Sequence, residues 1–164
     1  MLVNKLEQVK LHNPFHYLGL TENNKQGGYN LNAWVPGAVK VEVVELSSEK
    51  PLGFLKQVED SGLFEGTFDA SEKFNYKLRI SNPEHTYEVI DPYQFKDEAF
   101  HAVHHVTMKP QNLYDQLGAQ LIDVKLLDGS TVQATRFAVY APNATAVSLI
   151  GDFNYWDGRM HPME

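Results

Sequence analysis

From Tyr29 onward the apolar positions of the chain recur at every second residue, the period of a strand with one buried face. Val39, Val41 and Val43 alternate with Lys40, Glu42 and Val44, and Phe74, Tyr76, Leu78 and Ile80 alternate strictly with Asn75, Lys77 and Arg79. Turn-forming residues punctuate these runs at Gly27-Gly28, Pro36-Gly37, Ser47-Ser48, Pro51, Ser61-Gly62, Asn82-Pro83 and Asp91-Pro92. Many short strands so divided predict an antiparallel β-sandwich. One helical period precedes them: Leu2, Leu6 and Val9 stand at i, i+4 and i+7 and predict a short helix within residues 1–12. Asn13-Pro14 closes it, because a residue before proline avoids the α region.

Phe95 to Leu113 breaks the strand rhythm and reads as a connector. Alternation then resumes, with Ile122, Val124 and Leu126 separated by Asp123 and Lys125 before Asp128-Gly129. That dipeptide suits the positive φ values of a tight hairpin, which predicts Thr131 to Tyr140 as the returning strand. An internal repeat organises the whole. At an offset of 106, Pro36 aligns with Pro142, Ala38 with Ala144, Val41 with Val147, Val43 with Leu149 and Trp34 with Tyr140. Upstream, Leu18-Gly19 is answered by Leu117-Gly118 at an offset of 99. Two copies of one sandwich unit explain this, the first over residues 13–108 and the second over 113–164. The second ends before any counterpart of Phe74 to Ile80, so it is expected to be partial, with an unpaired sheet edge through which two chains would pair as a dimer.

Composition narrows the function. Lys+Arg at 14 against Asp+Glu at 21 gives a net charge of -7, and no basic run is present, which argues against nucleic acid. No apolar run approaches the ~18 residues of a membrane span, and the N-terminus lacks the continuous apolar stretch of a secretory signal. The absence of cysteine removes disulfides, thiol nucleophiles and thiolate metal sites, and fits a reducing cytoplasm.

Glu84-His85, Asp91, Asp97-Glu98, Asp152 and Asp157 are acid candidates, but no spacing among them fixes a pair of carboxylates. With no nucleophile elbow, phosphate loop or Cys-His pair, no complete active site is expected. His101, His104 and His105 have helical i, i+3 and i, i+4 spacing but lack the wider context of a metal site. Neither metal nor cofactor is predicted. Aromatic residues say more. Tyr155 and Trp156 follow Gly151-Asp152-Phe153-Asn154 at the end of an expected strand, placing a large flat ring at an exposed turn beside short polar side chains. Such a platform suits a neutral sugar, whose C–H face stacks on the ring while Asn and Asp meet its hydroxyls. Packing into a core or interface is the competing reading for Phe153 and Trp156, and is favoured for Trp34 and Tyr140.

Thr135-Arg136-Phe137-Ala138-Val139-Tyr140-Ala141-Pro142-Asn143-Ala144, followed by the stretch from Val147 to Met163 with Gly151-Asp152-Phe153-Asn154-Tyr155-Trp156-Asp157-Gly158, resembles the bacterial 1,4-α-glucan (glycogen) branching enzymes. Pro14-Phe15, Gly62-Leu63-Phe64-Glu65-Gly66, Asp91-Pro92-Tyr93-Gln94-Phe95 and Leu117-Gly118-Ala119 fit the same family in the same order. The resemblance implies an all-β chain: an immunoglobulin-like antiparallel β-sandwich followed by a partial second β-sandwich of glycogen-binding type. It also implies a catalytic (β/α)8 barrel beyond Glu164, so this chain alone is expected to be inactive. The implied role is non-catalytic: positioning α-1,4-glucan chains of glycogen and influencing the length transferred to 6-hydroxyls. By the same resemblance Trp156 is the expected sugar contact and Asn154 its neighbour. A module that packs on the barrel without binding sugar is the alternative.

Overall fold

The computed structural model describes residues 2–8, 13–25, 27–96 and 117–163. The backbone divides into two compact units, residues 1–94 together with 145–164, and residues 95–144.

The first unit is an antiparallel β-sandwich. Its strands are β1 (Gly19–Glu22), β2 (Tyr29–Trp34), β3 (Lys40–Glu45), β4 (Pro51–Gln57), β5 (Leu63–Phe68), β6 (Tyr76–Ser81) and β7 (Thr86–Ile90). They run in the order β1-β2-β5-β4-β3-β6-β7. β4 belongs to both layers: Leu55, Phe54 and Gly53 pair with β3, whereas Lys56 and Gln57 pair with β5. The expected turns lie outside the strands except at Pro51, which opens β4 and pairs with Val44 at the start of that strand, a position proline tolerates. Alternation places Leu31 and Ala33 of β2, Val41 and Val43 of β3, Leu55, Phe64, and Tyr76, Leu78 and Ile80 of β6 in one buried core. Val39 departs from the pattern. It is 64% exposed because β3 begins at Lys40, while Val44 is buried through a register shift between Val43 and Val44.

The outer faces differ. On the β3-β6-β7 layer, Arg79 faces its register partners Glu42 and Glu88, bonding them at 2.6 and 2.8 Å, and Lys77 reaches Glu88 at 2.8 Å. On the β2-β5 layer, Trp34 and Leu63 point outward and are covered by α1 (Leu2–Glu7) through Leu6 and by Leu18 and Tyr93. The predicted N-terminal helix thus has its apolar stripe on a sheet; Val9 lies outside the described residues. Asn13-Pro14 also starts a short helix, α2 (Pro14–Tyr17): the Asn13 carboxamide oxygen accepts from His16 N–H at 3.1 Å, with Pro14 in the first turn.

β7 leads into Asp91-Pro92 and a 3-10 turn over Pro92–Gln94. Gln94 is buried, and its amide serves as a rung of the ladder, donating to Tyr76 C=O at 2.8 Å and accepting from Tyr76 N–H at 3.1 Å. Asp91 accepts from the Tyr76 hydroxyl at 2.5 Å and from Tyr93 N–H at 3.0 Å. Burial pushes its carboxyl up to about 6, against the pull of those two donors. A carboxyl with a raised folded pKa binds its proton in the native state before the unfolded chain does. Its contribution is therefore greatest below the unfolded value near 3.8 and is lost as pH rises through about 6. Relative to Asp91→Asn, which cannot titrate, the unaltered chain should gain stability by about 2 kcal/mol from pH 7 to pH 4. Denaturant titrations of both at several pH values test this; a constant gap would place Asp91 at an ordinary carboxyl pKa.

In the second unit the described residues form one hairpin, β8 (Gly118–Lys125) with β9 (Thr131–Ala138). Val124 and Leu126 are buried on the face predicted from their spacing. The turn differs from the expectation in that Gly129 alone has positive φ, at 84°. Gly129 N–H bonds Leu126 C=O and Leu126 N–H bonds Ser130 C=O, a longer loop than the two-residue turn. The returning strand ends at Ala138 rather than Tyr140.

The repeat is visible in the backbone. Gly19 and Gly118 open β1 and β8 at φ 85° and 82°, and pair with Asn32 and Ala138, residues related by the 106 offset. The turns after β2 and β9 match too, with Ala38 N–H to Val35 C=O at 3.2 Å and Ala144 N–H to Ala141 C=O at 3.0 Å. Likeness then stops. Val43 lies in β3, whereas the segment around Leu149 carries only an isolated bridge between Ser148 and Pro162.

Candidate functional site

Residues 147–163 form a closed loop on the first sandwich. Met163 N–H bonds Val147 C=O at 2.9 Å and Leu149 N–H bonds His161 C=O at 3.0 Å, which brings the two ends of the loop together. Two anchors tie it to the sandwich: the Trp34 indole N–H donates to Arg159 C=O at 2.7 Å, and the Tyr93 hydroxyl donates to Pro162 C=O at 3.3 Å. The favoured core placement of Trp34 is what the structure has, at 5% exposure; its repeat counterpart Tyr140 is 60% exposed.

Between the loop ends, Asp152–Asn154 make a 3-10 turn. Tyr155 and Trp156 follow at φ 54° and 60°, a left-handed conformation that bulky side chains rarely adopt and that costs about 1–3 kcal/mol per residue. What holds them there is Asn154. Its side chain is fully buried; Oδ1 accepts from Gly151 N–H at 2.9 Å, and Nδ2 donates to Leu149 C=O at 2.8 Å and to His161 Nδ1 at 3.0 Å. That last bond requires an imidazole with an unprotonated Nδ1, and burial holds the His161 pKa below its ordinary value, favouring the neutral ring. Trp156 N–H to Gly151 C=O at 3.0 Å and Asp157 N–H to Asn154 C=O at 3.0 Å complete the turn. The Arg159 guanidinium, which grips both oxygens of Asp157, lowers that carboxyl's pKa from its ordinary value.

Trp156 ends with 64% of its surface in solvent, its indole N–H fixed on Asp152 Oδ1 at 2.8 Å. A large ring is thus both exposed and oriented. Phe153 and Tyr155 are also exposed, at 59% and 66%, and Tyr155 Oη lies 3.1 Å from His85 Nε2.

The two residues singled out from the sequence therefore stand in one turn with different parts. Trp156 faces outward. Asn154 is buried, and its carboxamide is engaged on both sides by the chain itself, so it acts by shaping the turn. Of the acid candidates, Asp91 is buried with Tyr76 and Asp152 orients the indole. His101, His104, His105, Asp97 and Glu98 lie outside the described residues. Sequence spacing did not single out Asp152 as the indole's partner or His161 as Asn154's. The first pair is four residues apart, a separation meaningful only once the 3-10 turn is known, and the second is seven residues apart across a loop closure. Among the described residues no helix is long and apolar enough to cross a membrane.

Known sequences match both parts of the chain. Residues 116–164 match the family model described as carbohydrate-binding module 48 (isoamylase N-terminal domain), and residues 2–93 match that of the alpha-1,4-glucan branching enzyme GlgB, N-terminal domain. A 1,4-alpha-glucan branching enzyme GlgB of Pseudoalteromonas atlantica is 45% identical over 164 residues, covering 99% of this chain and 22% of that protein. The protein of the same name from Photobacterium profundum is 37% identical over 160 residues, covering 98% of this chain and 21% of its own length. Among solved structures, the catalytic module of the glycogen-degrading pneumococcal virulence factor SpuA aligns with a TM-score of 0.40 at 23% identity, over 56% of this chain and 14% of that one. Sandwich and loop thus define a β-sandwich protein with carbohydrate-binding-module sequence. The chain belongs to the 1,4-α-glucan branching enzyme GlgB family and corresponds to its N-terminal region. It spans about a fifth of the length of the curated relatives it matches.

Proposed function

We propose that this chain is the non-catalytic N-terminal region of a glycogen branching enzyme that binds α-1,4-glucan, with Trp156 as the stacking platform. The single observation carrying this reading is the Trp156 indole, 64% exposed yet fixed on Asp152 at 2.8 Å. An apolar ring left in water at the tip of a strained turn gains from covering its face, and a pyranose supplies both a C–H face and peripheral hydroxyls. Preorganisation lowers the entropy cost of each contact, and a polymer with many equivalent segments multiplies weak contacts into useful retention.

In the whole enzyme, residues 113–164 open the second, glycogen-binding-type sandwich behind the first over 13–108. Together they present glucan to a catalytic barrel, which breaks an α-1,4 linkage and rejoins the chain to a 6-hydroxyl. By holding the donor chain, the N-terminal region influences the length transferred. A cysteine-free composition supports a cytoplasmic setting. Among the described residues β8 and β9 pair only with each other, and Leu121 is 87% exposed, which supports pairing of two copies of this chain.

Affinity electrophoresis in gels containing glycogen or amylopectin tests the sugar reading. The unaltered chain should be retarded and Trp156→Ala should migrate about as in a sugar-free gel. Equal mobility of the unaltered chain with and without glucan would replace this reading with that of an interaction module.

A further inference from the structure

The Trp156 platform adjoins a groove of about 420 Å³, within the size range of small-ligand sites. One wall is β7 and the turn before it, with His85 and Tyr87; the other is the 152–161 loop, with Asp152, Phe153 and Tyr155. The walls touch where His85 Nε2 meets Tyr155 Oη at 3.1 Å. His85 and Tyr87 stack in a tilted pair with ring centroids 5.4 Å apart. Burial, with the nearness of Tyr155 adding to it, raises the Tyr87 hydroxyl pKa. Among the described residues no lysine or arginine lines the groove, which disfavours an anionic ligand, and of the two carboxylates there Asp91 is buried and bonded to Tyr76. Aromatic faces flanked by an imidazole, phenol hydroxyls and one accessible carboxylate fit a neutral polyhydroxylated ring. Asp152 joins the two places, since it lines the groove and also holds the Trp156 indole.

We infer that the groove between β7 and the 152–161 loop is a second glucosyl subsite, taking the continuation of the α-1,4-linked chain that stacks on Trp156. The inference rests on the sugar-binding reading above and extends it to residues of the first sandwich. A chain bound this way bridges the loop and β7, so its contacts grow with length. Short oligosaccharides occupy Trp156 alone; longer ones also cover Tyr155 and Tyr87.

Titration of the 164-residue chain with maltotriose and with maltoheptaose, followed by NMR, tests this. The Trp156 indole signal should shift with both sugars, and the His85 and Tyr87 ring signals with maltoheptaose only. Tyr155→Ala, a change at an exposed side chain, should weaken maltoheptaose by about tenfold, the scale of one lost stacking contact, and leave maltotriose within about twofold. Trp156→Ala should weaken both sugars. The groove assignment is overturned if maltoheptaose moves Trp156 but leaves His85 and Tyr87 unmoved, or if Tyr155→Ala affects both sugars equally; the platform survives either outcome. If neither sugar perturbs the unaltered chain, the platform falls and the groove with it.

Discussion

Replacing Asn154 with alanine should melt the 147–163 loop and abolish glycogen retention while leaving the sandwich core folded. The substitution orphans Gly151 N–H, Leu149 C=O and His161 Nδ1 at a fully buried position. At about 1 kcal/mol for each lost bond, the local cost is about 3 kcal/mol. That cost falls on a turn already strained at Tyr155 and Trp156, whose other bonds, such as Trp156 N–H to Gly151 C=O and Asp157 N–H to Asn154 C=O, are local to the same turn and loosen with it. Hydrogen exchange is the direct measurement. The amides of Gly151, Trp156 and Asp157 should lose protection by about a hundredfold, while those of β3 and β6 keep theirs. Unchanged protection in the loop would mean that the carboxamide does not hold the turn.

Trp34→Ala should be more damaging to the whole fold. The side chain is 5% exposed, packed with Leu6, Leu18, Leu63 and Tyr93, and its indole N–H holds Arg159 C=O at 2.7 Å. Truncating a buried tryptophan costs about 3–5 kcal/mol from lost burial and the cavity left behind. Trp34→Phe keeps most of the volume and loses the bond, so it should cost nearer 1–2 kcal/mol, concentrated in the loop. Urea denaturation of both variants separates packing from tethering. A Trp34→Ala midpoint close to that of the unaltered chain would show that the helix-covered face adds little to stability.

The strand period was readable wherever one face is buried and the other wet. Tyr76, Leu78 and Ile80 on β6 follow their sequence alternation, as do Ile122 and Val124 on β8. It misled at Val39, where a turn residue continues the pattern by coincidence, and at Val44, where a register shift buries both neighbours. The short helix α2 left no periodicity to detect; its signals were Asn13 and Pro14, which also read as a helix stop. The repeat was legible because turns and positive-φ glycines carry strong local constraints, as Gly19 and Gly118 show. Residues 145–163 pack against the first sandwich through contacts such as Trp34 to Arg159, which join positions 125 residues apart and leave no trace in local pattern. At the site the sequence placed the ring at an exposed turn, with packing into a core or interface as the competing reading, and Trp156 is 64% exposed. Asn154, read as a sugar neighbour, is instead the buried pin of the turn, since a carboxamide in a loop gives no sign of which way it faces.

The passage of β4 from one layer to the other has a mechanical consequence. Along that flank the layers are stitched by a continuous backbone, and parting them there means tearing a strand out of two ladders at once. On the opposite flank, among the described residues, no strand pairing joins β1 to β7. Parting the two layers should therefore cost least on the β1–β7 flank, like a book that opens away from its spine. The groove beside β7 lies along that opening side, so whatever lodges there acts as a clasp.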